Sequence, residues 1–490
     1  MNTTTATPTP PAANATNPMA PPRKSRRHWY LIGGFVLLLI GVVIGYYYLS
    51  GWMGDRRLAA TYAALDVEDP NWRWPDLVAS LPIPPDDRNS AVQVLKVSDL
   101  LKPTPFSLGG KWDAAANERA LRFRNARLSA EQVEILDAAF GAIDPKALVE
   151  ARKLKDMPEG RYKIEIVANP FNQNLDYLQK NRELMNLLSH DVMRRAQEGD
   201  LDGAAESCQA LLNATHSIND HPTFIGQLVR LAGEAVTLAA VERLLGQGQV
   251  SDVQLKPLQS LLQREADDNL LFHGVRGERA LGHHVFSGIH DGKVSLSELL
   301  AGIGGGKPAT PSFGERMLDS FPGVITRGYP DYLELMNEQV RAAKLKDAEQ
   351  GEALGELDNK VRQNRSVLVR MFMPAKIKLA NASQRGKAMM RTAAVAAERY
   401  RQQHNVWPSA FEELVEAKLL KEVPTDPYDG KTLRLRPTKT GIVIYAVGPD
   451  GVDDGGKLDR NNPVAPGSDI GIELWNLIHR GIPNVPGEEK

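Results

Sequence analysis

The sequence predicts a mainly α-helical chain. An N-terminal transmembrane helix is followed by a long helical array, and a small α+β domain closes the chain. Three observations carry this. An uncharged apolar run stands near the N-terminus, amphipathic helical periodicity fills the middle, and two alternating strand segments follow a long helix near the end. At 490 residues the chain is long for a single domain. The predicted parts are a disordered cytoplasmic tail (1–28), a transmembrane helix (29–50), an extracytoplasmic helical domain (51–373), the α+β domain (374–480) and a tail (481–490).

Residues 1–22 are Thr, Pro, Ala and Asn with almost no large apolar side chain, so burial cannot offset their chain entropy and disorder is expected. Arg23, Lys24, Arg26 and Arg27 form a basic cluster, and from Leu31 to Leu49 no charge occurs. A helix of about 20 residues spans a hydrocarbon core of about 30 Å. Trp29 and Tyr30 at one end, with Tyr46, Tyr47, Tyr48 and Trp52 at the other, sit where interfacial aromatics belong. The basic cluster favours a cytoplasmic N-terminus, although Arg56 and Arg57 on the far side weaken the asymmetry. The expectation is therefore a single-pass inner-membrane protein, embedded in the bilayer through residues 31–49, with its C-terminal part in the periplasm. A cleaved signal peptide needs a shorter apolar region and a small-x-small site, whereas this run ends in three tyrosines. Gly41 and Gly45 form a small-xxx-small pair, which offers a route to a homodimer through the membrane helix.

Lys plus Arg number 59 and Asp plus Glu 60, a balance that argues against a nucleic-acid partner. The single cysteine, Cys208, excludes a disulfide framework and a multi-cysteine metal site, and reads as a small buried hydrophobe.

From Asp55 to about Met373 the pattern is helical. Capping boxes are expected at Ser129/Gln132, Ser251/Gln254 and Ser295/Glu298. One helix is expected from Leu175 to Gln197, ended by Gly199-Asp200, and another from Leu201 toward Ala214. Leu228, Leu231, Ala235, Leu238, Val241 and Leu245 define the apolar face of a further helix, with Gln227, Arg230, Glu234 and Thr237 on the opposite side. The stretch around Trp72 and Trp74 reads as irregular, with both tryptophans as core or membrane-interface anchors. No clean 34-residue repeat emerges.

Several tempting sites fail on their own chemistry. Residues 302–307, GIGGGK, resemble a phosphate loop, but Ala301 and Pro308 stand where that motif needs glycine and a hydroxyl residue. His273, His283, His284 and His290 lack the i, i+4 pairing of a helical zinc site and read as packed or solvated. The sequon at Asn213 lies in a helical pattern. No catalytic residue, and no hydrolase, kinase or dinucleotide fingerprint, stands out.

A long helix is expected from about Pro374 to His404, with Ala and Met on one side and Lys and Arg on the other. A short helix from Ser409 to Leu420 is expected to be capped by Ser409, with Glu412 three residues later. Strands follow at Thr432–Arg436 and Ile442–Val447, and then a glycine-rich acidic loop.

This order resembles the globular region of the major pseudopilin of type II secretion systems. The matching residues are Tyr400, Trp407, Pro408, Pro424, Asp426, Pro427, Tyr428, Gly430, Gly448, Asp450, Gly451, Gly455, Gly456, Asp469 and Ile470, about a fifth of the chain being covered. The chain departs from that family in its apolar helix, which carries no glutamate and lies more than 300 residues before the matching region. It therefore reads as a permanent tether rather than a processed pilin N-terminus. The whole chain also resembles membrane-anchored proteins of planctomycetes, a likeness that implies no activity.

In the pseudopilin family the acidic loop binds calcium, so the resemblance implies a structural calcium ion. Its carboxylates here are Asp450, Asp453, Asp454, Asp459 and Asp469. The donor chemistry suits an ion that takes six to eight oxygens. An EF-hand is excluded, because Val452 and Asn461 occupy its third and twelfth positions. The expected function is that of a non-catalytic, membrane-anchored interaction protein, partnered by a pseudopilin or another envelope protein of a secretion or pilus-like apparatus. An extracytoplasmic hydrolase and a helical peptide- or polysaccharide-binding module remain open alternatives.

Overall fold

The computed structural model describes residues 27–102, 104–109, 112, 124–167, 173–293, 295, 327–364, 366, 369, 373, 377–460 and 462–483. The expected disordered tail (all but its last two residues), the GIGGGK run and the Ser295/Glu298 cap lie outside them. The chain forms two compact units, Met1–Arg56 and Arg57–Lys490. Helix α1 (Arg27–Glu68) begins in the first and ends in the second. In the first unit its most apolar window has no buried residue and is long enough to cross a membrane. Arg56 lies over the Trp52 ring at 4.4 Å, so that aromatic carries a cation at its edge.

The second unit is mainly helical, as its sequence periodicity requires. After α1 come α2 (Trp74–Ser80), α3 (Ser90–Leu101), α4 (Ala130–Ala142), α5 (Pro145–Arg152), α6 (Asp176–Glu198), α7 (Leu201–His216) and α8 (Phe224–Gln247). They are followed by α9 (Asp252–Asp267), α10 (Leu270–His290), α11 (Tyr329–Ala343), α12 (Asp347–Gln363), α13 (Ile377–His404) and α14 (Phe411–Glu416).

Local chemistry sets several boundaries. Ser129 and Gln132 form the reciprocal box that opens α4, at 3.2 and 2.9 Å. Gly199 ends α6 at φ 87°, a left-handed turn that glycine adopts without a Cβ clash, and Asp200 then caps α7 through the Gly203 amide at 3.0 Å. The expected box at Ser251 is not made. Ser251 precedes α9 without a side-chain cap, and its own amide donates to Asp202 at 2.8 Å. Ser409 does not cap α14 either. Ala410 is the N-cap, and Ser409 bonds Glu413 instead of pairing with Glu412.

The expected faces of α8 are inverted over its first turns. Gln227, Arg230, Glu234 and Thr237 are buried, whereas Leu228 is 42% exposed. The reason is a buried charge network: Arg230 reaches Glu265 at 2.7 Å and Asp268 at 2.6 Å, so its charge is paired away from water. Only toward its C-terminal end do Leu238, Val241 and Leu245 enter the core as the periodicity predicts. This helix is also apolar and long enough to span a membrane, but it packs within the protein body.

Trp72 and Trp74 are each 1% exposed and belong to the protein core, not to a membrane interface. The region is less irregular than expected, since Trp74 starts α2. Cys208 is buried, and burial pushes its thiol pKa far up, in keeping with an inert core residue. Asn213 is buried too and donates to the Leu154 and Lys155 carbonyls, so its sequon is structural.

Helices α6, α7 and α8 pack on one another, and α13 lies against α8 and α9. Its other side meets a three-stranded antiparallel sheet, β1 (Arg434–Pro437), β2 (Gly441–Ala446) and β3 (Ile470–Trp475), with β2 central. The register pairs Leu435 with Ile444 and Ile444 with Ile472. Covered on both sides, α13 buries Arg391 and Glu398 beside its alanines, so the expected basic face does not look out to water. One hydrophobic cluster joins side chains of α3, α6 to α9, α13 and all three strands.

Candidate functional site

The acidic loop between β2 and β3 is built by its own backbone. Asp469, 1% exposed, accepts the Asp454 amide at 3.3 Å and the Gly456 amide at 2.7 Å. Its amide donates to the Lys457 carbonyl at 2.8 Å, closing the loop's base. Gly455 and Gly456 are both left-handed, with φ 71° and 82°. A Cβ on Gly456 would stand 2.9 Å from Val443 Cγ1, so glycine is required there on two counts.

The five predicted carboxylates separate in space and role. Asp450 sits on the exposed rim, where the amides of Val452 and Gly467 hold its carboxyl below the usual range. Asp453 accepts the Gly455 amide and the Tyr445 hydroxyl, and meets Arg434 Nε at 3.3 Å. Asp454 Oδ2 is sealed from water and has no hydrogen-bond partner among the described residues. Asp459 accepts the Asn462 amide at 3.0 Å. Burial raises the Asp469 pKa, two amides oppose the rise, and the charges of Asp453 and Asp454 add to it.

Calcium therefore meets suitable donor chemistry here, with an orphaned carboxylate oxygen on Asp454 and mutually repelling neighbours in Asp453 and Asp469. Most of the other carboxylate oxygens already accept a loop amide. No group of three or more Asp, Glu, His or Cys side chains is set as a ready metal cage among the described residues. Of the histidines, His283 packs at a tilt against Trp72, 4.5 Å between rings, and bonds Tyr329, and His273 pairs with Asp268 at 2.9 Å. The side chain of His290 lies outside the described residues.

A cavity of about 160 Å³ opens behind the loop, and sequence reasoning missed it. Asp459 and Asp469 line its loop wall, with Arg460 between them in sequence. The opposite wall carries Glu242 from α8, Lys387 and Arg391 from α13, and Arg124. Glu242 is 3% exposed and lies among three guanidiniums: Arg460 at 2.5 Å, Arg391 at 3.5 Å and Arg124 at 3.8 Å. Burial would raise its pKa, but the charges of Arg391, Arg460 and Arg124 outweigh that and hold it ionised below the usual range. Burial lowers Arg391 to about 10 and also lowers Lys387 and Arg124. The one available signal was Lys387 and Arg391 at i, i+4 in an alanine-rich helix.

A second cavity, of about 270 Å³, is mainly apolar and is lined by Leu281, Val285, Phe286 and Tyr332 with one carboxyl, Glu278. Burial raises the Glu278 pKa, and its oxygen caps the start of α8 by accepting the Phe224 amide at 2.8 Å. Comparison with family models, curated proteins and solved structures finds no match to this chain.

Proposed function

We propose that this chain is a non-catalytic, single-pass inner-membrane protein. It holds a helical body and a pseudopilin-like unit outside the cytoplasm for a partner in a secretion or pilus-like apparatus. The observation that carries the tether is the wholly exposed apolar window of α1, from which Phe35, Leu37 and Leu38 project at 64–71% exposure. Such a surface has no aqueous solution in a monomer and is satisfied by a bilayer. Trp29 and Tyr30 at its start, and the basic residues before them, support the N-in orientation.

The pseudopilin likeness rests on the motif residues and on the order of a long helix, a short helix and an antiparallel sheet. The loop motif has a structural use in this reading. Asp469 and the glycines fold the loop, and Asp453, Asp454 and Asp469 would hold a calcium ion that neutralises their repulsion.

The test is a fusion of alkaline phosphatase after Lys490, with fractionation of the cells. Activity of the reporter and retention in carbonate-washed membranes are expected. A cytoplasmic reporter, or release of the full chain by carbonate, would overturn the tether. Crosslinking in intact cells should then recover pseudopilin-class or other envelope proteins. Recovery of none would remove the interaction role.

A further inference from the structure

We propose that the cavity between α8, α13 and the acidic loop is a binding site for a small phosphate-class oxyanion. Four cations, Arg124, Lys387, Arg391 and Arg460, surround it. Glu242, with two carboxylate oxygens, is shared among three of them. Asp459 also lines the wall, while the Asp469 oxygens turn to the amides of Asp454 and Gly456.

Glu242 does not take up every donor around it. Arg391, 6% exposed, keeps Nε and Nη1 sealed from water without a hydrogen bond among the described residues, and Arg124 Nε, 3.8 Å from Glu242, also makes none. Buried guanidinium donors are ordinarily satisfied, so this cluster keeps donor capacity beyond what Glu242 takes up. The donors arrive from separate elements and directions. A carboxylate accepts mainly in its own plane, whereas a tetrahedral anion accepts from several sides at once. The volume is ample, since a single water needs only about 10–15 Å³ of such space.

The phosphate could be the free ion or part of a lipid headgroup. The experiment is calorimetric titration of the full detergent-solubilised chain with inorganic phosphate at constant ionic strength, paired with melting scans. Saturable binding and a raised Tm are expected, with competition by sulfate and none by chloride. Lys387→Met should weaken binding at least about tenfold, as should Arg391→Lys. Arg362→Gln, on an exposed helix surface far from these residues in sequence, should leave it unchanged. Arg391→Met risks the fold because it also strips Glu242 of a neighbour, so Lys387→Met carries the decision. A parallel titration with short-chain phosphatidate assigns the source: tighter lipid binding points to a headgroup, tighter phosphate binding to the free ion, and either supports the site. Absence of heat and of any Tm shift at millimolar phosphate would overturn it. So would equal affinity in the parent and Lys387→Met.

Discussion

Arg480 offers the sharpest test of how this body is held together. Its side chain is 1% exposed and every donor group is engaged. Nη1 and Nη2 grip Glu398 at 3.0 and 2.7 Å, Nε donates to the Trp475 carbonyl at 2.8 Å, and Nη1 also reaches the Gly248 carbonyl at 2.8 Å. Glu398 is fully buried and has one other cation, Arg401, at 2.8 Å. Burial would raise the Glu398 pKa, but the bonds from Arg401 and Arg480 lower it below the usual range. Arg480→Met leaves a buried carboxylate with Arg401 and Gln402 as its remaining donors and takes a donor from two carbonyls. Removing one member of a buried pair costs about 3–5 kcal/mol, because the remaining charge stays desolvated. The expected loss is about 4 kcal/mol, nearly a thousandfold in the folding equilibrium. In urea denaturation followed by circular dichroism, that moves the midpoint down by roughly 1 M if the slope for a body this size is about 4 kcal/mol/M. Glu398→Gln combined with Arg480→Met should be less harmful than the sum of the two, with a coupling of about 2 kcal/mol or more. A single variant within about 1 kcal/mol of the parent, or strictly additive effects, would refute the latch.

Further outcomes are expected elsewhere. His221 is 3% exposed, and its Nδ1 accepts the Thr223 amide at 3.2 Å, so neutral His221 carries its proton on Nε2 toward Tyr177 at 2.7 Å. Burial lowers its pKa to about 3, so its contribution is complete above about 6.5 and is lost as pH falls toward 3, by ~1.4 kcal/mol per unit. Stability measured between pH 6.5 and 5 should fall less steeply in His221→Asn, and parallel profiles would contradict this. Trp72 packs between Tyr62 and His283 at 5.7 and 4.5 Å, and Trp72→Ala should cost about 3–5 kcal/mol in a melting experiment; a cost below about 1 kcal/mol would remove it from the core. Calcium at a hundredfold excess over its Kd should stabilise the chain by ~2.7 kcal/mol and slow proteolysis within 448–467. Both effects should vanish in Asp454→Asn, and identical melting in chelator and calcium would dismiss the ion.

How far the sequence speaks depends on how local the deciding interactions are. The Ser129 box is settled by residues three apart, and the Gly199 stop by one residue's φ, so both were legible. The α8 faces were not, because the periodicity argument assigns charge to water. The partners that let Arg230 be buried, Glu265 and Asp268, stand 35 and 38 positions away. Ser251 fails as a side-chain cap although its neighbours suit the motif, and its amide bonds Asp202 from another helix. β3 hid behind the acidic loop, since Ile470 reads equally well as the end of a loop motif. In the candidate site, Asp469 was recognisable as one of the loop's carboxylates, but not as the acceptor of the Asp454 and Gly456 amides. The arginine wall was not, because Arg124, Glu242, Arg391 and Arg460 meet only in three dimensions.

The residues just after Arg480 carry a consequence for how the protein is made. Gly481 donates to the Gly246 carbonyl at 3.0 Å, and Ile482 exchanges bonds with Asn125 and Arg127 at 3.0 and 2.9 Å. The partners of Gly481 and Ile482 thus lie about 235 and about 355 positions earlier. A segment emerging in the order of synthesis cannot finish this body until residues 480–482 have been made, and closing so long a loop is entropically slow. The nascent body must wait, incomplete and with Glu398 unpaired by Arg480, through most of its production. A chain that stops before Gly481 would lack this seam, so these two residues act as a checkpoint that shorter chains do not pass.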